Sequence, residues 1–293
     1  MAVLINVPNP NTVKPYMTII FSLTAALFYG LADYSGSRAS RFANSASITF
    51  FGQAVAFVAL GVFLAIVRTP VMPLESWLWT TGGGFGGALA LVAFYKAMSM
   101  GSMTVIAPIT AVIGLSVPVI AGVLSGERPS GSAWIGILLA TVAVALIADI
   151  LDRHDLPTPP RVIWMAVAAG LGFGMIFVCM GNASHDHGVW PLFGQRLVSV
   201  PTVAAIALIQ TRSISVPKRV VLLSIAAGVL DTSANGLYLL ATSAELMSIV
   251  SVVVAMYPVA TIFLAMTLDH ERLHKSQGVG LLLAITSLVL ISI

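Results

Sequence analysis

Acidic, basic and amide side chains lie inside long apolar runs of this chain, where a lipid environment makes them costly. Asp231, Asn235 and Tyr238 follow one another at i, i+4 and i+7, the spacing of a single helix face. They form one polar stripe. Gln195 and Arg196 sit in a second apolar run, where Phe193-Gly194-Gln195 echoes the earlier Phe51-Gly52-Gln53. Tyr29 and Asp33 share a face one turn apart, and Tyr95-Lys96 closes another run. A charge at mid-membrane costs at least about 2.5–3.5 kcal/mol on insertion scales, so such groups face a cavity or a partner and mark ion or substrate paths. Asp231 is the deepest acid, with Arg196 its nearest countercharge. Burial and Arg196 act on its proton in opposite senses, and either outcome makes a site that senses charge. Asp33 and Lys96 fall near the ends of their runs on one membrane face. The plainer reading of Lys96 is a snorkelling interfacial lysine, and of Asp33 an interfacial cap.

A second set of residues spells catalysis. His270-Glu271-Arg272-Leu273-His274 matches H-E-x-x-H, which on a helix turns two histidines to one side to hold zinc. An intramembrane metalloprotease is therefore the remote alternative. Three features oppose it: Glu271-Arg272 repeats a Glu127-Arg128 that has no flanking histidines, the segment falls where a turn is expected, and no ligating residue follows His274. His185-Asp186-His187 reads as a solvated turn. No glycine run here is followed by Gly-Lys-Ser/Thr, so a phosphate-cradling loop is excluded. No enzyme activity, metal or cofactor is expected.

The elements that must position these groups follow from composition. With 58% hydrophobic and 9% charged residues, the chain departs from soluble domains, which carry about 25% charge. Crossing the hydrocarbon takes about 20 mostly apolar residues, and helices alone satisfy their own backbone there. Spans are expected over 17–36, 46–67, 77–98, 103–124, 132–150, 162–181, 189–209, 220–241, 247–268 and 276–292. The first is read as a retained span and not a signal peptide. A polar linker over 151–161, rich in proline and charge, parts a first half, 1–150, from a second, 162–293. The single Cys179 excludes an intrachain disulfide. Net charge +3 without a basic patch gives no reason to expect nucleic acid.

The halves repeat. Shifting residues 97–147 by 144 positions lands them on 241–291 without a gap, with 15 of 51 identical, Glu127/Glu271 and Arg128/Arg272 among them. Five spans in each half turn the second copy over in the membrane. The fold class expected is all-α integral membrane: ten transmembrane helices as two inverted five-helix repeats. Glycines at Gly82 to Gly87 and at Gly170 and Gly174 have the spacing of close helix packing in lipid.

Ala93-Phe-Tyr-Lys-Ala-Met-Ser-Met-Gly-Ser102 ending one span, Pro108 and Pro118 in the next, Gly126-Glu-Arg-Pro-Ser130 and a glycine-bearing fifth span resemble the EamA family of the drug/metabolite transporter superfamily. Tyr238 to Ala244, Pro258, His270-Glu-Arg272 and Gly280 repeat the pattern, with Gly114 facing Pro258 as a departure from symmetry. The resemblance implies ten helices around a central cavity and alternating access. The function expected is secondary active transport of small metabolites, amino-acid-like compounds or drugs, as an exporter, with uptake or counter-exchange as the alternative. Expected partners are the small-molecule substrate, the bilayer and protons as a candidate coupling ion, with the chain a monomer or homodimer in the cell (inner) membrane. Substrate-binding or coupling residues are expected among Asp231, Asn235, Tyr238, Arg196, Gln195, Tyr29, Asp33, Gln53, Tyr95 and Lys96. Orientation stays open. Three Lys/Arg against ten put the termini outside by the positive-inside rule, whereas the resemblance implies cytoplasmic termini.

Overall fold

The computed structural model describes residues 15–101, 103–147, 159–257, 259–260 and 275–292. They form helices α1 (Pro15–Ser40), α2 (Ser45–Val67), α3 (Leu74–Met100), α4 (Met103–Leu124), α5 (Gly131–Ile147), α6 (Pro160–Gly181), α7 (Trp190–Thr211), α8 (Lys218–Thr242), α9 (Met247–Val254) and α10 (Lys275–Ser292). By length and composition α1, α2, α6, α7 and α8 are sufficient to cross a membrane. The His270–His274 motif, Glu271 and most of the linker lie outside the described residues.

Two differences from the sequence expectation bear on the site. Helix α1 continues to Ser40 through a serine-rich stretch, in which Ser35 donates to the Leu31 carbonyl (2.8 Å) and Ser40 to that of Ser37 (2.7 Å), so these hydroxyls are satisfied within the helix. Asp33 therefore stands more than a turn from the helix end, not at an interfacial cap. Helix α9 stops at Val254, inside the span expected over 247–268. Its break falls at Ala255 and Met256. Tyr257, Val259 and Ala260 are helical again, so the span is interrupted over two residues, and Pro258 has no N–H to give the Val254 carbonyl four residues back.

Helices of one half pack mainly on helices of the other. The pairings α1 with α8 and α6 with α3 are extensive, as are α2 with α8 and α7 with α3, while α1 meets α9 over a smaller area than α6 meets α4. The remaining major pairings join α2 to α7, α4 to α9 and α5 to α10. Exchanging α1–α5 for α6–α10 reproduces this pattern. Helix starts agree with it: 74 and 218, 103 and 247, and 131 and 275 all differ by the shift seen in the sequence.

Glycine makes the crossings close. At Gly228 an added Cβ would overlap the carbonyl group of Gly52, so α2 and α8 meet backbone to backbone. The other half shows the same device, with Gly84 against the Gln195 carbonyl and Gly194 against Thr80 (2.7 Å from an added Cβ). Gly52 faces Ser224 and Gly228, whereas Gly194 and its neighbour face Thr80 and Gly84, so the Phe-Gly-Gln echo marks equivalent crossings. Gly170 and Gly174 bring α6 to within contact of the Thr110 and Gly114 carbonyls of α4 (both 2.8 Å from an added Cβ). Alanine in place of Gly228 gains about 1 kcal/mol of helix propensity and yet should lower the unfolding midpoint of detergent-purified protein. Gly278→Ala, with nothing within 4 Å, should leave it unchanged or raise it.

Glu127 closes the fold between halves. Its carboxylate accepts the Met247 N–H (2.9 Å) on Oε1 and the Ser248 N–H (3.0 Å) on Oε2, capping α9, whose own N-cap residue Leu246 offers no side-chain acceptor. The helix dipole favours the negative charge there. Glu127→Ala should cost about 0.5–2 kcal/mol, the range for a lost N-cap, measured as a fall in the unfolding midpoint. Glu127→Gln, which keeps one acceptor, should cost less.

Candidate functional site

Helices α7 and α8 build the charged centre. Arg196 is 2% exposed and Asp231 7%, and the Arg196 Nη2 donates to Asp231 Oδ2 in a buried ion pair. Thr232 holds the guanidinium from the same helix, accepting from Nε (3.1 Å) and Nη2 (2.8 Å) on its Oγ1. The Asn235 Nδ2 donates back to the Asp231 carbonyl (2.8 Å), while its Oδ1 is buried without a partner. The stripe on α8 is thus one polar unit up to Asn235.

Asp231 lies between two small cavities. The larger is lined by Tyr29, Asp33, Leu91, Thr110, Ala111, Gly114, Phe173, Ile176, Phe177, Asp231, Ala255 and Tyr257 and has about 30 Å³ of space for water centres. This is room for about two or three waters. The smaller lies among Gln53, Tyr95, Gly52, Gly228 and their neighbours, and Leu91 and Asp231 border both. Positions related by the 144-residue shift face the larger cavity together: Tyr29 with Phe173, Asp33 with Phe177, and Ala111 with Ala255. At these positions α1 brings Tyr29 and Asp33 to the cavity and α6 brings Phe173 and Phe177.

The structure thus brings Tyr29, Asp33 and Asp231 to one cavity and Gln53 and Tyr95 to the other. Both amide atoms of Gln53 and the Tyr29 hydroxyl are buried without hydrogen-bond partners. Tyr95 is accommodated by Gly36, where any Cβ would overlap its ring. Arg196 and Asn235 join through Asp231. Gln195 is buried beside them and lines neither cavity, its Oε1 unpartnered. Tyr238 is turned away: its hydroxyl donates to the Phe177 carbonyl (3.1 Å) and meets the Ser251 hydroxyl (2.8 Å), with its ring stacked on Phe177. Lys96 is exposed and gives Asp33 no countercharge.

Sequence reasoning missed Thr232, Phe173, Phe177 and Tyr257. Tyr257 precedes Pro258 just beyond the α9 break, and a tyrosine-proline pair inside an apolar span was the signal for it. The phenylalanines carried none. The loop histidines are engaged locally, His187 Nδ1 with the Ser184 hydroxyl (2.5 Å) and His185 Nε2 with Thr242 (3.2 Å). Burial holds the His185 pKa below the usual histidine value, against the pull of Asp186.

A model of the EamA-like transporter family matches residues 16–148 and again residues 160–293. The chain belongs to this family. It is a multi-pass membrane protein and, as a family member, a transporter of small molecules. Among solved structures, one described only as the crystal structure of a protein matches with a TM-score of 0.68 and 14% identity, over 94% of this chain and 98% of that one. That likeness shows the fold alone. No curated protein sequence matches the chain at a significant level.

In this EamA-like chain the buried pair can be separated into structural and functional shares. Removing one partner strands the other charge, and such losses run to about 3–5 kcal/mol, whereas apolar residues of similar volume in place of both are often neutral. Arg196→Met and Asp231→Leu should each destabilise the protein by that amount. The double variant should regain most of the stability in an unfolding series but not transport.

Proposed function

We propose that this chain is a secondary carrier, driven by an ion gradient or by exchange, whose two five-helix halves are inverted copies that rock about the site at Asp231. The pairing pattern that survives exchange of the halves supports this, and so does the matching set of cavity positions. Five crossings per half would set the second copy in the opposite orientation. One observation carries the reading: an ion pair nine-tenths buried at the junction of two cavities with room only for water. A metabolite needs more space, so the halves must part on one side and then the other to admit and release it. Export of small metabolites across the cell membrane, with protons as coupling ion, is the reading favoured here. Uptake or counter-exchange would use the same cavity and differs in the gradient applied.

Charge at Asp231 is the part that links binding to rocking, because parting the helices around Arg196 and Asp231 changes the partners open to both. Asp231→Asn keeps size and polarity but removes the charge. Reconstituted in vesicles, the folded variant should transport at least ten-fold more slowly, with an altered pH dependence. Unchanged rate and unchanged pH dependence would make Asp231 structural and refute the reading.

A further inference from the structure

We propose that the larger cavity selects an organic cation, an ammonium group on an apolar body, with Asp33 as its countercharge. Charge balance carries this. Arg196 is committed to Asp231 and Thr232, and no residue bordering the cavity is basic. Asp33, 6% exposed, brings a second carboxylate to the same space with no ion-pair partner among the described residues. A carboxylate buried in this way needs a cation or a proton beside it.

The polar groups left unspent agree. Thr110 donates to the Ala166 carbonyl (3.2 Å) and Tyr257 to that of Ala107 (3.3 Å), while the Tyr29 hydroxyl is buried without a partner. Asp33 and Tyr29 therefore offer oxygens to N–H donors. Tyr29 stands edge-on to Phe177 (5.9 Å between centroids, 75°) and to Tyr257 (6.5 Å, 60°), so rings at steep angles bound the space, as in aromatic cages for ammonium groups. Leu91, Ala111 and Ile176 complete an apolar wall. A hard metal cation demands six or so oxygens, more than this lining supplies.

The proposal rests on the carrier reading and names its substrate class. The test uses 2-phenylethylammonium, 2-phenylethanol and 3-phenylpropanoate, which share a body and differ in charge, titrated calorimetrically into the full chain in lipid nanodiscs. The ammonium should bind at least ten-fold tighter than the other two, and Asp33→Asn should abolish the preference. Tyr257→Leu should weaken ammonium binding several-fold. Equal or tighter binding of the alcohol or the acid, no binding of any probe at millimolar concentration, or a preference kept by folded Asp33→Asn protein would overturn it. If Asp33→Asn does not fold, the ranking on the unaltered protein decides. Vesicle transport separates the two readings: movement of the acid without the ammonium leaves a carrier and removes the cation site, whereas binding of the ammonium with no transport of any probe leaves the site and removes the carrier.

Discussion

Backbone contact at Gly52 and Gly228 is the constraint on which the arrangement of the site depends. In lipid, apolar side chains gain little by leaving solvent for each other, so helices associate through close packing and the few polar contacts they can make. Where two glycines cross, the helix axes approach as nearly as backbones permit. Asp231 lies one turn beyond Gly228 on the same face, and Gln53 follows Gly52, so the crossing sets how far the carboxylate stands from α2. A larger residue at either position would overlap the facing backbone and force the two helices apart.

The repeat supplies a symmetric frame and the side chains break it. Positions 144 residues apart hold Tyr29 and Phe173, Asp33 and Phe177, and Gly87 and Asp231. Gly87 must stay small because Ile176 fills its space, 2.6 Å from an added Cβ. Its partner position in α8 is free of that demand and carries an acid. Each half thus brings one acid to the cavity from a different helix, Asp33 from α1 and Asp231 from α8, so the charges do not follow the repeat.

Polar economy separates the two tyrosines of the α1 and α8 faces. Tyr238 spends its hydroxyl on Phe177 and Ser251 and stacks on Phe177, fixing α8 to α6 and α9. Tyr29 rests its ring against the same Phe177 and keeps its hydroxyl free of partners at the cavity. One phenylalanine thus joins the packing of the second half to the wall of the site.

The amino-acid sequence by itself determined the membrane class, the helical character, the repeat and the polar stripe of Asp231 and Asn235, because each rests on local composition or on helical periodicity. It also exposed the Glu127-Arg128 echo, though not its work, since the N–H groups that Glu127 caps lie 120 residues away in α9. Only the tertiary structure decided that Asp33 shares a cavity with Asp231, that Lys96 points out and that Tyr238 is spent in packing. Those outcomes depend on which helix faces cross and how closely. In lipid, the crossings follow from shape at glycine contacts between distant segments, and no pattern within one segment records its partner.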